Sequence, residues 1–204
     1  MKSTGFHAIG PDGVAIPLTP VYGRDVTLLE LPTTVDGTWR ISSGAALGRV
    51  GKAALVNGEL VFQGPNKPLP EGATVVEVQT INRSEAYVSR GAPNDAALKP
   101  RGEGLEFQAL THPDKIAAGE AARFVLLLDG KPLAGQRVVL SRGDDLYSED
   151  KPSDPLVTDA KGGFAFTAKK PGVYNASNRY RQAPTAPGGP AKNLTYSLTF
   201  EAVR

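Results

Sequence analysis

Apolar and polar residues alternate along this chain in short runs, and nearly every run is closed by glycine, proline, asparagine or aspartate. Period-two alternation of this kind predicts strands with one buried and one solvated face. GFHAI and VAIPL flank the turn GPDG, where Gly13 can take a positive φ, so a first hairpin is expected there. DVTLLEL, residues 25–31, reads as a strand. DGTWRISS follows an Asp-Gly turn and alternates Trp39 with Ile41, the tryptophan directed into a core. AALV and ELVFQ surround Asn57-Gly58, the strongest short-range hairpin signal a sequence carries. After the loop PNKPLPEG, the run ATVVEVQTINRSEAYVSR supplies one or two further strands.

Residues 91–104, GAPNDAALKPRGEG, interrupt the alternation with two prolines and three glycines and read as an interdomain connection. A boundary near Pro100 divides the chain into domains 1–99 and 100–204. Beyond it, LEFQAL, ARFVLLL, QRVVLS, PLVTD, GFAFTA, GVYNAS and LTYSLTFEAV have the number and spacing of strands in an immunoglobulin-like sandwich. FVLLL and QRVVL, on either side of DGKPLAG, are expected to form a hairpin. The inward set expected is Phe124, Leu126, Leu128, Val138, Leu140, Phe164, Phe166, Val173, Leu194, Tyr196, Leu198 and Phe200. The expected fold class is therefore all-β, two β-sandwich domains.

Composition narrows the chemistry more than the fold. Gly 23 and Pro 17 in 204 residues, without a low-complexity tract, fit turn-rich β structure and disfavour long helices. The 23 basic and 21 acidic residues are interspersed and leave a formal charge of +2, so no footprint for nucleic acid or an anionic membrane stands out. The absence of cysteine removes disulfides, thiolate catalysis and zinc–thiolate sites together. No apolar run approaches the roughly 20 residues that span a bilayer as a helix. GxSxG, SxxK and HExxH are all missing, and two histidines leave little room for a catalytic triad. No enzyme is expected.

DGKPLAGQRV, TDAKGGF and PGVY resemble the turns of prealbumin-like and carboxypeptidase-regulatory-like sandwiches, modules that serve as scaffolds or binding units. A longer resemblance rests on GRDVTLLEL, DGTWRIS, TDAKGGFAFTAKKPGVYNAS and above all GLEFQALTHPDKIAAGEAARFVLLLDGKPLAG. Through these the chain is similar to proteobacterial periplasmic proteins described as nickel-uptake-transporter-like, some encoded near metal transporters or TonB-dependent receptors. That resemblance implies a periplasmic, non-catalytic accessory or binding protein for uptake of a divalent transition metal such as nickel or cobalt. The implied partner is a membrane transporter or TonB-dependent receptor system. The alternative is an extracytoplasmic structural or protein-interaction module without a small ligand. Members of that family carry a signal peptide and an N-terminal histidine segment ahead of the part similar to MKSTGFHAIGPDG. Met1 is accordingly expected to be an internal methionine, and the unpaired edge at residues 5–18 to favour a homodimer.

The resemblance makes His112, Asp114 and His7 the metal candidates. His112 and Asp114 are two apart in THPDK, where Pro113 holds the chain extended, whereas His7 lies 105 positions away. The competing expectation for His112 is a surface imidazole at a turn. GDDLYSEDKPSD gathers Asp144, Asp145, Glu149, Asp150 and Asp154 in one loop, but lacks the EF-hand spacing. In NASNRYRQAPTAPGGPAKN, Arg179, Tyr180 and Arg181 precede a long Pro/Gly loop and combine the residue types enriched at interface anchors. They are the candidate partner-binding residues.

Overall fold

In this computed structural model, residues 2–3, 5–62, 68–144, 155–186 and 188–204 are described. Strand accounts for 56% of the chain and helix for 3%, which is the all-β class expected. The first half contributes β1 (Lys2–Ser3), β2 (His7–Ile9), β3 (Ala15–Pro17), β4 (Pro20–Tyr22), β5 (Thr27–Leu29), β6 (Gly37–Ser42), β7 (Ala46–Val56), β8 (Glu59–Phe62) and β9 (Thr74–Arg90). The second contributes β10 (Leu105–Ala109), β11 (Ala121–Leu128), β12 (Lys131–Pro132), β13 (Arg137–Arg142), β14 (Leu156–Val157), β15 (Gly163–Thr167), β16 (Gly172–Gln182) and β17 (Ala191–Ala202).

β9 organises the whole chain. Along one edge its first half pairs with β7 and its second half with β6; along the other it pairs in parallel with β17, from Ala191↔Val78 to Thr199↔Ala86. One large sheet therefore runs β14-β13-β16-β17-β9-β6-β2-β3, with β1, β7 and β8 attached beside it, and carries strands from both sides of residue 100. A second sheet joins β10, β11, β12 and β15, and among the described residues β4 pairs only with β5.

Alternation decides what each face buries. On the inner face, Phe107, Phe124, Leu126, Val138, Tyr196 and Leu198 are at most 2% exposed and form the main core between the two sheets. Phe107 meets Tyr196 edge-on, ring centroids 5.1 Å apart, which ties β10 to β17 across that core. On the outer face the β7–β8 hairpin folds back over the sheet and buries Ala53, Leu60, Val78 and Ala191. Its turn is Asn57-Gly58, with φ of 50° and 82°, the two positive values a two-residue hairpin turn needs. A third cluster holds Ala8, Leu18 and Trp39, as expected of the tryptophan.

Three expectations change. FVLLL and QRVVL do not pair: β11 gives one edge to β10 and the other to β15 and β12, so no edge remains for β13, which joins the other sheet between β14 and β16. Asp129-Gly130 does reverse the chain, but only as far as Lys131–Pro132. DVTLLEL is a strand only at Thr27–Leu29. Val173 points outward at 52% exposure, because Tyr174, stacked on Phe200 at 6.0 Å, takes the inward position. β3 stands at the end of the large sheet, where Pro17 withholds one N–H from the edge.

Candidate functional site

The inner face of β6 and β9 carries polar groups into the core. Thr38, Arg40, Ser42 and Glu85 are each at most 4% exposed. Glu85 accepts hydrogen bonds from the Arg101 guanidinium and from the Tyr196 hydroxyl, the latter at 2.7 Å. The second carboxylate, Glu106, accepts from the backbone N–H groups of Arg101 and Gly102, both at 2.9 Å, and lies 3.6 Å from the Arg101 Nη2. Burial pushes the Glu85 carboxyl up, but Arg101, Arg40 and the Tyr196 hydroxyl together hold it below the ordinary value. Burial, reinforced by Glu85, raises the Tyr196 hydroxyl well above its ordinary value. A neutral phenol and a charged carboxylate are thus locked in one hydrogen bond. This network pins the connection before β10 to strands from both halves of the chain.

His112 is half-buried and serves as the cap of the short 3-10 turn Pro113–Lys115. Its Nδ1 accepts from the Asp114 backbone N–H at 3.2 Å, so Nε2 carries the proton, donating to the Asn94 carbonyl at 3.2 Å with the Thr38 Oγ1 at 3.1 Å. Both ring nitrogens are therefore engaged within the protein, and the imidazole is not the free surface group of a simple turn. The Asp114 side chain is exposed on that turn. His7, on β2, is the cross-strand partner of Ser42, four residues along β6 from the Thr38 that meets His112. Thr38 and Ser42 lie near opposite ends of β6, about 13 Å apart at a strand rise of roughly 3.3 Å per residue, so the two histidines meet that strand at different ends. Among the described residues no group of three or more His, Asp or Glu is placed to hold a metal ion. Most of the acidic loop, from 145 to 154, lies outside the described residues. His112→Ala is expected to lower stability by about 1 kcal/mol through loss of the cap and its cross-links, read as a fall in the urea midpoint; an unchanged midpoint would refute that role.

Arg179, Tyr180 and Arg181 do come together with further groups. A cavity of about 680 Å³ lies between the β7–β8 turn and β13 and β16, lined by Glu59, Gln136, Arg137 and these three residues. The register Val138↔Asn178 sets Arg137 next to Arg179 on the outer face, and Arg181 follows two residues on along the same face. Arg181 rests its guanidinium 4.8 Å above the Phe62 ring of β8, which fixes its direction. Among the described residues none of the three arginines is ion-paired. Like charges opposed across strands repel, and guanidinium groups in a recess supply forked donors suited to carboxylate or phosphate oxygens. Such an arrangement can receive negative charge. Sequence had singled out Arg179, Tyr180 and Arg181; it missed Arg137 and Phe62, whose approach depends on strand register and on the hairpin folding back.

Residues 1–182 match the family described as a domain of unknown function (DUF4198). The chain belongs to this family. No curated protein and no solved structure matches it. The DUF4198 match ends on the last residue of β16, so it contains Arg137, Arg179, Tyr180 and Arg181, while β17 with its Tyr196 lies beyond it. In this DUF4198 protein the matched segment is thus completed, in the centre of the large sheet, by a strand outside the match.

Proposed function

We propose that the chain is a non-catalytic, extracytoplasmic binding protein whose site is the arginine-lined cavity, and that its ligand is anionic. The observation that carries this is the convergence of Arg137, Arg179 and Arg181 on one face, with Glu59 as the one acid of the lining among the described residues. The resemblance to nickel-uptake-transporter-like proteins fits this reading if a transition metal such as nickel or cobalt arrives in an anionic chelate, since guanidinium groups bind the chelator and not the bare ion. A periplasmic location and a transporter or TonB-dependent receptor as partner belong to the same proposal. At the finer level of fold, we read residues 1–99 and 100–204 as two sandwich units, the second immunoglobulin-like or prealbumin-like, fused through the β9–β17 pairing.

A second function is favoured by a separate observation. Among the described residues the β4–β5 hairpin pairs with no other strand, and it exposes Val21, Tyr22, Val26 and Leu28, each at 60% or more, as a protein-interaction module without a small ligand would. Calorimetric titration with free Ni²⁺, with nickel citrate and with citrate alone separates the two. Binding of citrate and nickel citrate, with free Ni²⁺ weaker, supports the first; no heat from any of the three would leave the interaction module.

A further inference from the structure

A second cavity, about 210 Å³, lies on the inner face of the large sheet, away from the arginine-lined one. Its floor is the edge of the main core: Leu105 and Leu194 are buried within it, and Ile81 and Leu128 pack against it. One wall is Arg83 of β9, whose side chain is 12% exposed. Arg83 uses its guanidinium incompletely. Nη2 donates to the Glu103 Oε1 at 3.0 Å, while Nη1 is closed off from solvent and has no acceptor. An unsatisfied buried donor of this kind carries a desolvation cost and calls for an explanation. Glu103 itself is 71% exposed, so its single bond to Arg83 is the weak kind of ion pair that water readily replaces. The other acid in the lining, Asp129, is turned to the Gly104 N–H at 2.8 Å, and Lys192 adds a second cation to the wall.

We propose that this cavity binds a small monocarboxylate with a compact apolar tail. The carboxylate displaces Glu103 from the Arg83 Nη2 and gains Lys192 as the second cation of the wall. The tail lies on Leu105, Leu128 and Leu194. Glu103 is then a stand-in for the ligand's head group, supplied by the chain itself, and it competes with the ligand for the site. A cavity of about 210 Å³ has room for a tail of a few carbons. The apolar floor disfavours phosphate, which belongs to the arginine-lined cavity on the other face.

Hexanoate and 1-hexanol serve as probes, followed by methyl chemical shifts of Leu105, Leu128 and Leu194 and by calorimetry on the full chain. Hexanoate should saturate those shifts, and hexanol should bind at least tenfold more weakly. Glu103→Gln should tighten hexanoate several-fold by removing the internal competitor, and Leu128→Trp should abolish binding by filling the cavity. Arg83→Gln should weaken it tenfold or more. If Arg83→Gln does not fold, the Glu103→Gln and hexanol comparisons decide the matter alone. No saturable shift at millimolar hexanoate, equal binding of hexanol, or weaker binding by Glu103→Gln would each overturn the proposal.

Discussion

Replacing Arg101 by methionine is expected to destabilise the protein by about 3–5 kcal/mol, the usual result of removing one partner from a buried ion pair. The side chains of Glu85 and Glu106 are 1% exposed and that of Arg101 11%, so solvent cannot take over the role of the lost cation. Glu106 keeps the two backbone N–H groups of 101 and 102, whereas Glu85 keeps only the Tyr196 hydroxyl and the nearby charge of Arg40. Glu85 is therefore the group left stranded. Adding Glu85→Gln to Arg101→Met should recover a large part of the loss, because the uncompensated charge is gone. The pH dependence follows from the direction of the Glu85 shift. A carboxyl whose folded pKa lies below its unfolded value of about 4.3 stabilises the fold above that pH, and the contribution disappears as pH falls through the folded value. In Arg101→Met the same carboxyl loses its main cation and burial raises it, so this variant should gain stability on mild acidification where the parent does not. Urea unfolding at neutral and mildly acidic pH checks both statements; a loss below about 1 kcal/mol would show that the network is dispensable.

Leu126→Ala is expected to cost roughly 2–5 kcal/mol, as large-to-small changes in a packed core do. Leu126 is fully buried, lies opposite Phe107 in the register of β10 and β11, and belongs to the core that unites the two sheets. Its backbone N–H is also held by the Gly162 carbonyl at 2.8 Å, and Gly162 approaches so closely that a side chain there would strike the Leu126 carbonyl. The urea midpoint should fall with little change in slope. A change below about 1 kcal/mol would mean that the faces of β11 are assigned in reverse.

What sequence made legible follows from the range of each signal. The Asn57-Gly58 turn and the turn before Val14 are local instructions, and both hairpins form as expected. The inward faces of β11, β15 and β17 followed from alternation alone, with Phe124, Phe164, Phe166 and Leu198 all buried. Pairing partners were not legible. Nothing local tells FVLLL that β15 will occupy the edge that QRVVL was expected to take, and nothing in TVVEVQTINRSEAYVSR announces that it will also pair with β17, more than a hundred residues away. The site followed the same rule. Arg179 and Arg181 stood out by composition, but their neighbour Arg137 comes from another strand and Phe62 from the other half of the chain. The buried Glu85, Arg101 and Tyr196 were equally invisible, since a charged residue in an alternating strand reads as solvated until the covering sheet is in place.

The most direct test of the anion-binding claim is calorimetric titration of the full chain with citrate, at two salt concentrations, in the parent and in Arg137→Gln and Arg179→Gln. These arginines are exposed and outside the cores, so both variants should keep the parent's melting temperature. Citrate binding should be saturable, weaken with salt and drop tenfold or more in either variant. Citrate affinity that is the same in all three proteins, or no binding in the parent at low salt, would contradict it.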